Sequence, residues 1–184
     1  MPVANPNDNN CASYLAIALA NYLGGVLCKK VAVSCASDLS LYDCLKWYKQ
    51  HILKAVSGND TPDYFELAGI KYFHNIPNEF FDYIILAGDN PFLFNDHVQD
   101  APYKRIAVGS ITPWTYKHYS DFLKRMSPFY QGNKEWFFLA WCNSAQDKKA
   151  LERTHKVPIH QIPTDLDPFM IRQQDFSFLE KLIL

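Results

Sequence analysis

The hydrophobic pattern alternates short apolar runs with longer segments in which apolar residues recur every third or fourth position. Short runs bounded by polar residues predict buried strands, and the longer spacing predicts helices with one apolar face. The predicted strands cover residues 1–4, 30–35, 69–74, 82–87, 105–110, 135–141 and 157–162. The predicted helices cover 13–23, 39–56, 112–125, 145–154 and 169–184.

A regular succession of strand, helix and strand is typical of a parallel sheet with right-handed crossovers. The run 82–87, which reads Asp-Tyr-Ile-Ile-Leu-Ala, suits a central strand that is buried on both faces. We therefore predict an α/β fold, a mostly parallel sheet of about seven strands with helices on both faces. No repeat or linker interrupts the chain, so residues 1–184 are expected to form one domain.

Residues that favour helix ends set the expected helix boundaries. Gly24 and Gly25 are expected to end the first helix. Asp167 followed by Pro168 is expected to cap and begin the last helix. The apolar face of the second helix is predicted to comprise Leu41, Cys44, Leu45, Tyr48, Ile52 and Val56.

Composition narrows the class of protein. The 18 basic and 19 acidic residues give a net charge of −1, so no nucleic-acid partner is expected. Five cysteines without a Cys-x-x-Cys pair indicate reduced thiols in a cytoplasmic protein and no zinc site. The first apolar run has no basic segment before it and is too short to span a bilayer.

The loop between the first strand and the first helix is the first place to look for chemistry, because ligands of such sheets bind beyond the carboxyl ends of the strands. It reads Asn-Pro-Asn-Asp-Asn-Asn-Cys-Ala-Ser over 5–13 and leads into an Ala/Leu-rich helix. This segment resembles the start of the ParA/MinD family of dimeric P-loop ATPases, where the loop reads Lys-Gly-Gly-x-Gly-Lys-Thr/Ser. In that comparison Asn7 replaces the signature lysine, Asp8, Asn9 and Cys11 replace the glycines, Asn10 is the variable residue, Ala12 replaces the phosphate-gripping lysine, and Ser13 keeps the magnesium-binding hydroxyl.

Three later positions extend the resemblance. Ala87 stands where the family has the Walker B aspartate, after a strand that is similar to the family's. Asn143 resembles the asparagine that reads the adenine base, and Pro163 lies in a segment similar to the loop that covers the base. The resemblance therefore implies a nucleotide-binding loop, with ATP or ADP and magnesium as its natural ligands.

The substitutions in the loop also imply that hydrolysis is lost. Asp8, Asn9 and Cys11 add side chains where glycine lets the backbone approach phosphate, and Asp8 adds negative charge. Phosphoryl transfer depends on positioning and on charge neutralisation, which both lysines and the aspartate would supply. Asn9 and Asn10 can still adopt positive φ. An ordinary strand–helix turn is the competing interpretation of the loop.

The resemblance favours a non-hydrolysing regulatory or scaffolding subunit in bacterial localisation, partitioning, or secretion or pilus assembly. Its expected partner is a protein, either a second copy or a paralogous ATPase. One alternative is a true nucleotide binder or slow ATPase that uses Ser13 and Asn143. Another is a small enzyme on an unrelated Rossmann-like sheet, with polar groups converging near Asp89 and Asn90.

Other candidates have structural alternatives. Ser13 and Asn143 could serve only as a helix cap and a turn residue. Trp114 and Tyr116 follow a strand on the binding side, where they would suit a partner if exposed, whereas a buried Trp114 would be core. The apolar tail 176–184 is expected to pack on the domain, and docking to a partner is the second alternative. A membrane contact through the tail is less favoured because basic residues are scarce there.

Overall fold

A computed structural model describes the backbone of residues 2–4, 11–37, 39–53, 61, 63–88, 104–130, 136–142 and 144–184. Side chains are described over the same ranges except at 2–4, 36, 37, 39, 40 and 129. Several predicted site residues lie outside the described residues: Asn7, Asp8, Asn9, Asn10, Asp89, Asn90 and Asn143.

The described residues form eight strands and five α-helices. The strands are β1 (Pro2–Ala4), β2 (Val31–Ser37), β3 (Tyr64–Leu67), β4 (Ile70–Phe73), β5 (Tyr83–Gly88), β6 (Arg105–Ile111), β7 (Trp136–Cys142) and β8 (Ile159–Gln161). The helices are α1 (Cys11–Asn21), α2 (Leu39–His51), α3 (Tyr116–Tyr130), α4 (Ala145–His155) and α5 (Phe176–Ile183). A π-helical turn (Tyr22–Val26) continues α1, and a 3-10 turn (Gln173–Asp175) precedes α5.

The strands form one sheet in the order β3-β4-β2-β5-β1-β6-β7-β8. Every neighbouring pair is parallel except β3 and β4, so the predicted mostly parallel α/β architecture is confirmed. The described sheet has one strand more than predicted, because β3 was missed. A tight turn at Ala68 and Gly69, with φ of 53° and 77°, joins β3 to β4.

Each strand sends alternate side chains to opposite faces of the sheet, and a different set of helices covers each face. In β6, Ile106 and Val108 face α1, α2 and α5, whereas Ala107 and Ile111 face α3 and α4. We call these two sets of helices the α1 layer and the α3 layer. Both faces of β6 are apolar because both are covered, as expected for a parallel sheet between two helical layers.

The α1 layer is the more deeply buried. Most of α1 is inaccessible to solvent, and Leu179 and Leu182 of α5 belong to the same core cluster. The rings of Tyr22 and Phe176 pack with their centroids 5.4 Å apart, which joins the end of α1 to the start of α5. The C-terminal tail therefore packs on the domain, as predicted. No described helix is long and apolar enough to cross a membrane.

The α3 layer is held to the sheet by close contacts and specific bonds. The buried Tyr119 hydroxyl donates a hydrogen bond to the backbone oxygen of Leu139 at 3.0 Å. At the sheet edge, Lys148 Nζ donates to the oxygen of Ile159 at 2.7 Å, and Glu152 accepts from the Ile159 N–H at 3.0 Å. These side chains occupy backbone groups of edge strand β8 that could otherwise pair with another strand.

Several predicted helix ends were wrong. The last helix begins at Phe176, not at residue 169, and Asp167 forms a local turn by accepting a hydrogen bond from the Phe169 N–H at 2.9 Å. Arg172 contacts both Asp165 and Asp175 and stabilises this non-helical segment. The contact with Arg172 gives Asp165 a structural role.

The other differences concern turns and helix faces. Gly24 and Gly25 lie within the π-helical turn, which continues to Val26, so they do not end the first helix. The third helix begins at Tyr116, because residues 112–115 form a turn before it. In α2, Cys44 and Ile52 are exposed, contrary to the predicted apolar face, and the helix ends at His51.

Candidate functional site at the carboxyl edge of the sheet

The carboxyl ends of the parallel strands meet at one edge of the sheet, and α1 begins at that edge. β1 lies between β5 and β6, with Val3 paired to Ala87 on one side and to Ile106 on the other. The segment that follows β1 therefore leaves from the middle of the sheet. This is the position at which α/β sheets of this type bind ligands.

The first residues of α1 are buried at this edge. Cys11, Ala12 and Ser13 expose 8%, 2% and 6% of their surface. The helix already begins at Cys11, so Ser13 lies inside its first turn and is not its N-cap. The first backbone N–H groups of a helix lack partners within the helix and carry partial positive charge, so this end retains the general ability to face an anion.

Three positions at which this chain departs from the resembled family are part of the hydrophobic core. Cys11, Ala12 and Ala87 belong to the same buried cluster, and Ala87 is fully inaccessible. Burial raises the pKa of the Cys11 thiol to about 11, with an opposing contribution from a backbone hydrogen bond, so the thiol is neutral at physiological pH. Nothing at these three positions can neutralise phosphate or hold a metal ion.

The turn between β6 and α3 is tightly bonded and displays an aromatic side chain. The Thr112 and Thr115 hydroxyl oxygens lie 2.7 Å apart, the Thr112 N–H donates to Thr115 Oγ1 at 3.0 Å, and Thr115 Oγ1 donates to the oxygen of Ser110 at 2.7 Å. Between them Trp114 is 79% exposed. The alternative of a core role for Trp114 is therefore wrong, whereas Tyr116 packs partly buried against the core of the α3 layer.

The ends of β7 and β8 are tied to each other and to α1. Gln161 Nε2 donates to the oxygen of Cys142, the residue before Asn143, at 3.2 Å. The Tyr14 hydroxyl donates to the oxygen of Leu166, and its ring meets Trp141 edge-on with centroids 5.5 Å apart. The half-buried Pro163 thus lies between two anchored points at this edge.

Sequence reasoning missed Thr112, Thr115, Gln161 and Tyr14. Two threonines flanking Pro-Trp were a readable signal for a hydroxyl-bonded turn. Gln161 and Tyr14 act through partners that are distant in sequence, so no local pattern marks them. Among the described residues, no group of histidine, cysteine and carboxylate side chains is arranged to hold a metal ion.

Comparison with known proteins gives structural neighbours only. No protein-family model matches the sequence, and no curated protein matches it. A ParA family ATPase from Chlorobium tepidum TLS matches with a TM-score of 0.54 and 14% identity, covering 89% of this chain and 84% of that one. A chain of the MinC:MinD cell division protein complex from Aquifex aeolicus matches with a TM-score of 0.55 and 12% identity, covering 98% and 84%.

In the sheet of this chain, a central β1 precedes a buried helix, and seven parallel strands are joined by one antiparallel edge strand. At such low identity the likeness concerns the backbone architecture. The chain therefore has the α/β fold of the ParA/MinD-type P-loop ATPases.

Proposed function

We propose that this protein is a non-hydrolysing member of the ParA/MinD structural class that works as a regulatory or scaffolding subunit through protein contacts. The observation that carries the proposal is the burial of Ala12 and Ala87 in one apolar cluster. These positions correspond to the phosphate-gripping lysine and the Walker B aspartate in the resembled loop and strand. Bacterial localisation, partitioning, and secretion or pilus assembly are the processes in which such a subunit would act.

The lack of charged side chains is the physical reason for the proposed loss of phosphoryl transfer. Phosphoryl transfer needs cations around the transferred group and a carboxylate to hold magnesium. An apolar cluster of Cys11, Ala12 and Ala87 supplies neither, and a charged side chain placed there would lose its hydration. The α1 layer at this edge therefore stabilises the fold and does not perform the transfer.

A protein partner is supported by two observations. Trp114 is held largely exposed by a hydrogen-bonded turn, and exposed, preorganised tryptophans are favoured as anchors of protein interfaces. One structural neighbour is itself part of the MinC:MinD cell division protein complex. We propose that this chain likewise acts in an assembly, with a second copy or a paralogous ATPase as partner.

A second candidate is nucleotide binding with slow or no turnover. The N–H groups at the start of a helix favour an anion, which supports this function independently of the missing lysines. ATP or ADP would be held by the backbone of that first turn, with Ser13 on magnesium and Asn143 and Pro163 at the base. Bound nucleotide would supply phosphate charge and a flat base to the edge, and so could control access to Trp114.

The test is ATP turnover together with thermal unfolding in Mg-ATP and Mg-ADP. We expect no turnover above the buffer background. Nucleotide at 100-fold its dissociation constant should stabilise the protein by about 2.7 kcal/mol, so a rise in Tm would assign the second candidate and an unchanged Tm the purely protein-binding one.

Ser13→Ala, with Ser127→Ala on α3 as the matched control, shows whether the effect belongs to this edge. ATP hydrolysis that Ser13→Ala abolishes and Ser127→Ala leaves intact would contradict the proposed loss of catalysis.

A further inference from the structure

The outward side of the α3 layer carries a set of exposed basic side chains. They are Lys117, Lys124 and Arg125 on α3, Lys149 and Arg153 on α4, and Lys156 directly after α4. Together, α3, α4 and Lys156 contain seven basic and three acidic residues, a net charge of +4. The whole chain has a net charge of −1, so the excess of positive charge is local.

Helical spacing groups these side chains into rows. Lys117 and Lys124 are seven residues apart on α3, and Lys149 and Arg153 are four residues apart on α4. Residues at these spacings lie on one side of a helix. Each row therefore presents its cations in one direction, over about 10 Å of α3 and about 6 Å of α4, and Lys156 directly follows α4.

The two helices are joined, so the rows keep a fixed relation to each other. Ser120 Oγ of α3 lies 2.9 Å from His155 Nε2 at the end of α4. Asp121 and Lys124 both act electrostatically on His155, so the α3 row reaches the end of the α4 row. We call the surface that bears the six cations the α3–α4 face.

The lack of an ion-pair partner sets these six cations apart from several others in the described chain. None of the six has an ion pair or side-chain hydrogen bond within the part of the chain that the structure describes. Elsewhere Lys30 and Lys71 pair with Glu79, Lys148 pairs with Glu152, and Arg172 pairs with Asp165. Unpaired like charges that are held close together repel, and an acidic ligand would relieve that repulsion.

We propose that the α3–α4 face docks an acidic segment of a partner protein, with Trp114 as an apolar anchor at the end nearest the carboxyl edge. Trp114 lies three and four residues before Lys117 and His118, so it borders this face. Charge complementarity selects an acidic ligand, and the exposed indole selects one that also carries an apolar side chain.

A protein segment fits this face better than a nucleic acid does. Asp121 and Asp147 are exposed among the cations and would repel an evenly spaced phosphate backbone. A peptide can place its carboxylates beside the cations and uncharged residues beside these aspartates. The proposal deepens the proposed function, because it names a surface through which the regulatory subunit would hold its partner.

The experiment measures binding of a fluorescein-labelled peptide to the full chain by anisotropy, at about 0.15 M salt. The probe is a peptide of about 12 residues, long enough when extended to cover one row of cations, that alternates Glu with Ala and carries one central Leu. A second peptide with Gln in place of every Glu, and a short DNA duplex, are measured alongside. No nucleotide is present, so failure here would leave the proposed loss of hydrolysis untouched.

Lys124→Glu/Arg153→Glu is the test variant, and Lys29→Glu/Lys181→Glu, whose lysines are also exposed, is the control with the same net charge. We expect the acidic peptide to bind the wild type and the control, and the test variant to weaken binding about tenfold. Adding Trp114→Ala to the test variant should weaken binding of the acidic peptide further. Equal binding of the Gln peptide, equal loss in the control variant, or tighter binding of the DNA duplex would each overturn the proposal.

Discussion

The two helical layers of this protein differ in the burial and the charge of their side chains. In α1 the side chains are nearly all buried and none is charged. In α3 and α4 one side packs on the sheet, while the other carries exposed lysines and arginines. Helix α1 is therefore committed to the core, whereas α3 and α4, on the opposite face of the sheet, carry exposed charge.

Similarity of fold and retention of chemistry are therefore separate questions in this protein. In the resemblance to the ParA/MinD family, Ala12 of α1 and Ala87 of β5 replace a lysine and an aspartate, and both are buried in one apolar core. The α3 layer has the unpaired charges that a recognition surface requires. We therefore look for function on the side of α3 and α4 that carries exposed charge. Three experiments test how strongly the two layers differ.

The largest effect is expected on the free energy of unfolding when a charged residue is introduced into each layer. Ala18→Asp places a carboxylate at a fully inaccessible position of α1 and should destabilise the protein by more than about 4 kcal/mol, because a buried unpaired charge loses its hydration. Ala150→Asp makes the same change at an exposed position of α4 and should cost no more than about 0.7 kcal/mol. Urea unfolding of both variants measures the difference. Similar losses in the two variants would mean that α1 is less deeply packed than its burial indicates.

A smaller effect is expected where the α3 layer touches the sheet. A Cβ on Gly109 would lie 2.5 Å from Cδ2 of the fully buried Tyr119 ring, so Gly109→Ala forces this ring to move. We expect a loss of about 1–3 kcal/mol. A Cβ on Gly25, next to the α1 layer, meets nothing within 4 Å, so Gly25→Ala is the control.

Chemical denaturation measures the stability of both glycine variants. If Gly109→Ala is as stable as Gly25→Ala, the close seating of α3 on β6 would be contradicted.

The smallest expected effect is a pH dependence that resides at the α3 layer and β8. Burial lowers the pKa of His155 below its ordinary value of 6.5, and burial together with Lys148 does the same for His160. Both histidines take up a proton more readily when the chain unfolds. Their contribution to stability is therefore complete above pH 6.5 and is lost as the pH falls below it.

The free energy of unfolding, measured by urea titration from neutral to mildly acidic pH, should fall across that window for the wild type. The double variant His155→Gln/His160→Gln should show a shallower decline. An identical slope in the two proteins would exclude these histidines as the source of the pH dependence.

The fold could be predicted from sequence because it rests on local periodicity. The strand 82–87 and the helix 145–154 were placed within one residue of β5 and α4, since the pattern of apolar and polar residues is read from near neighbours. β3 was missed because its four residues carry no clear strand pattern and it is stabilised by antiparallel pairing with β4. The last helix was placed seven residues early because Arg172 stabilises the preceding turn through carboxylates on both sides of it.

The candidate site also combines features that the sequence shows with features that only the structure shows. The replacement of lysine, glycine and aspartate at Ala12, Cys11 and Ala87 is visible in the sequence once the family pattern is laid on it. That Trp114 is exposed, and that Gln161 holds the end of β7, depends on contacts between separate strands and turns. The roles proposed for Asn7, Asp8, Asn9, Asn10 and Asn143 remain predictions.

The sequence by itself determined the alternation of strands and helices, the uncharged character of α1 and the balance of charge, because each is a property of neighbouring residues or of composition. Only the tertiary structure decided that Ala12 and Ala87, 75 positions apart, share one core, and that the cations of α3 and α4 are exposed on helices joined by the contact of Ser120 with His155. Burial and pairing are set by residues that are distant along the chain, and folding alone brings them together.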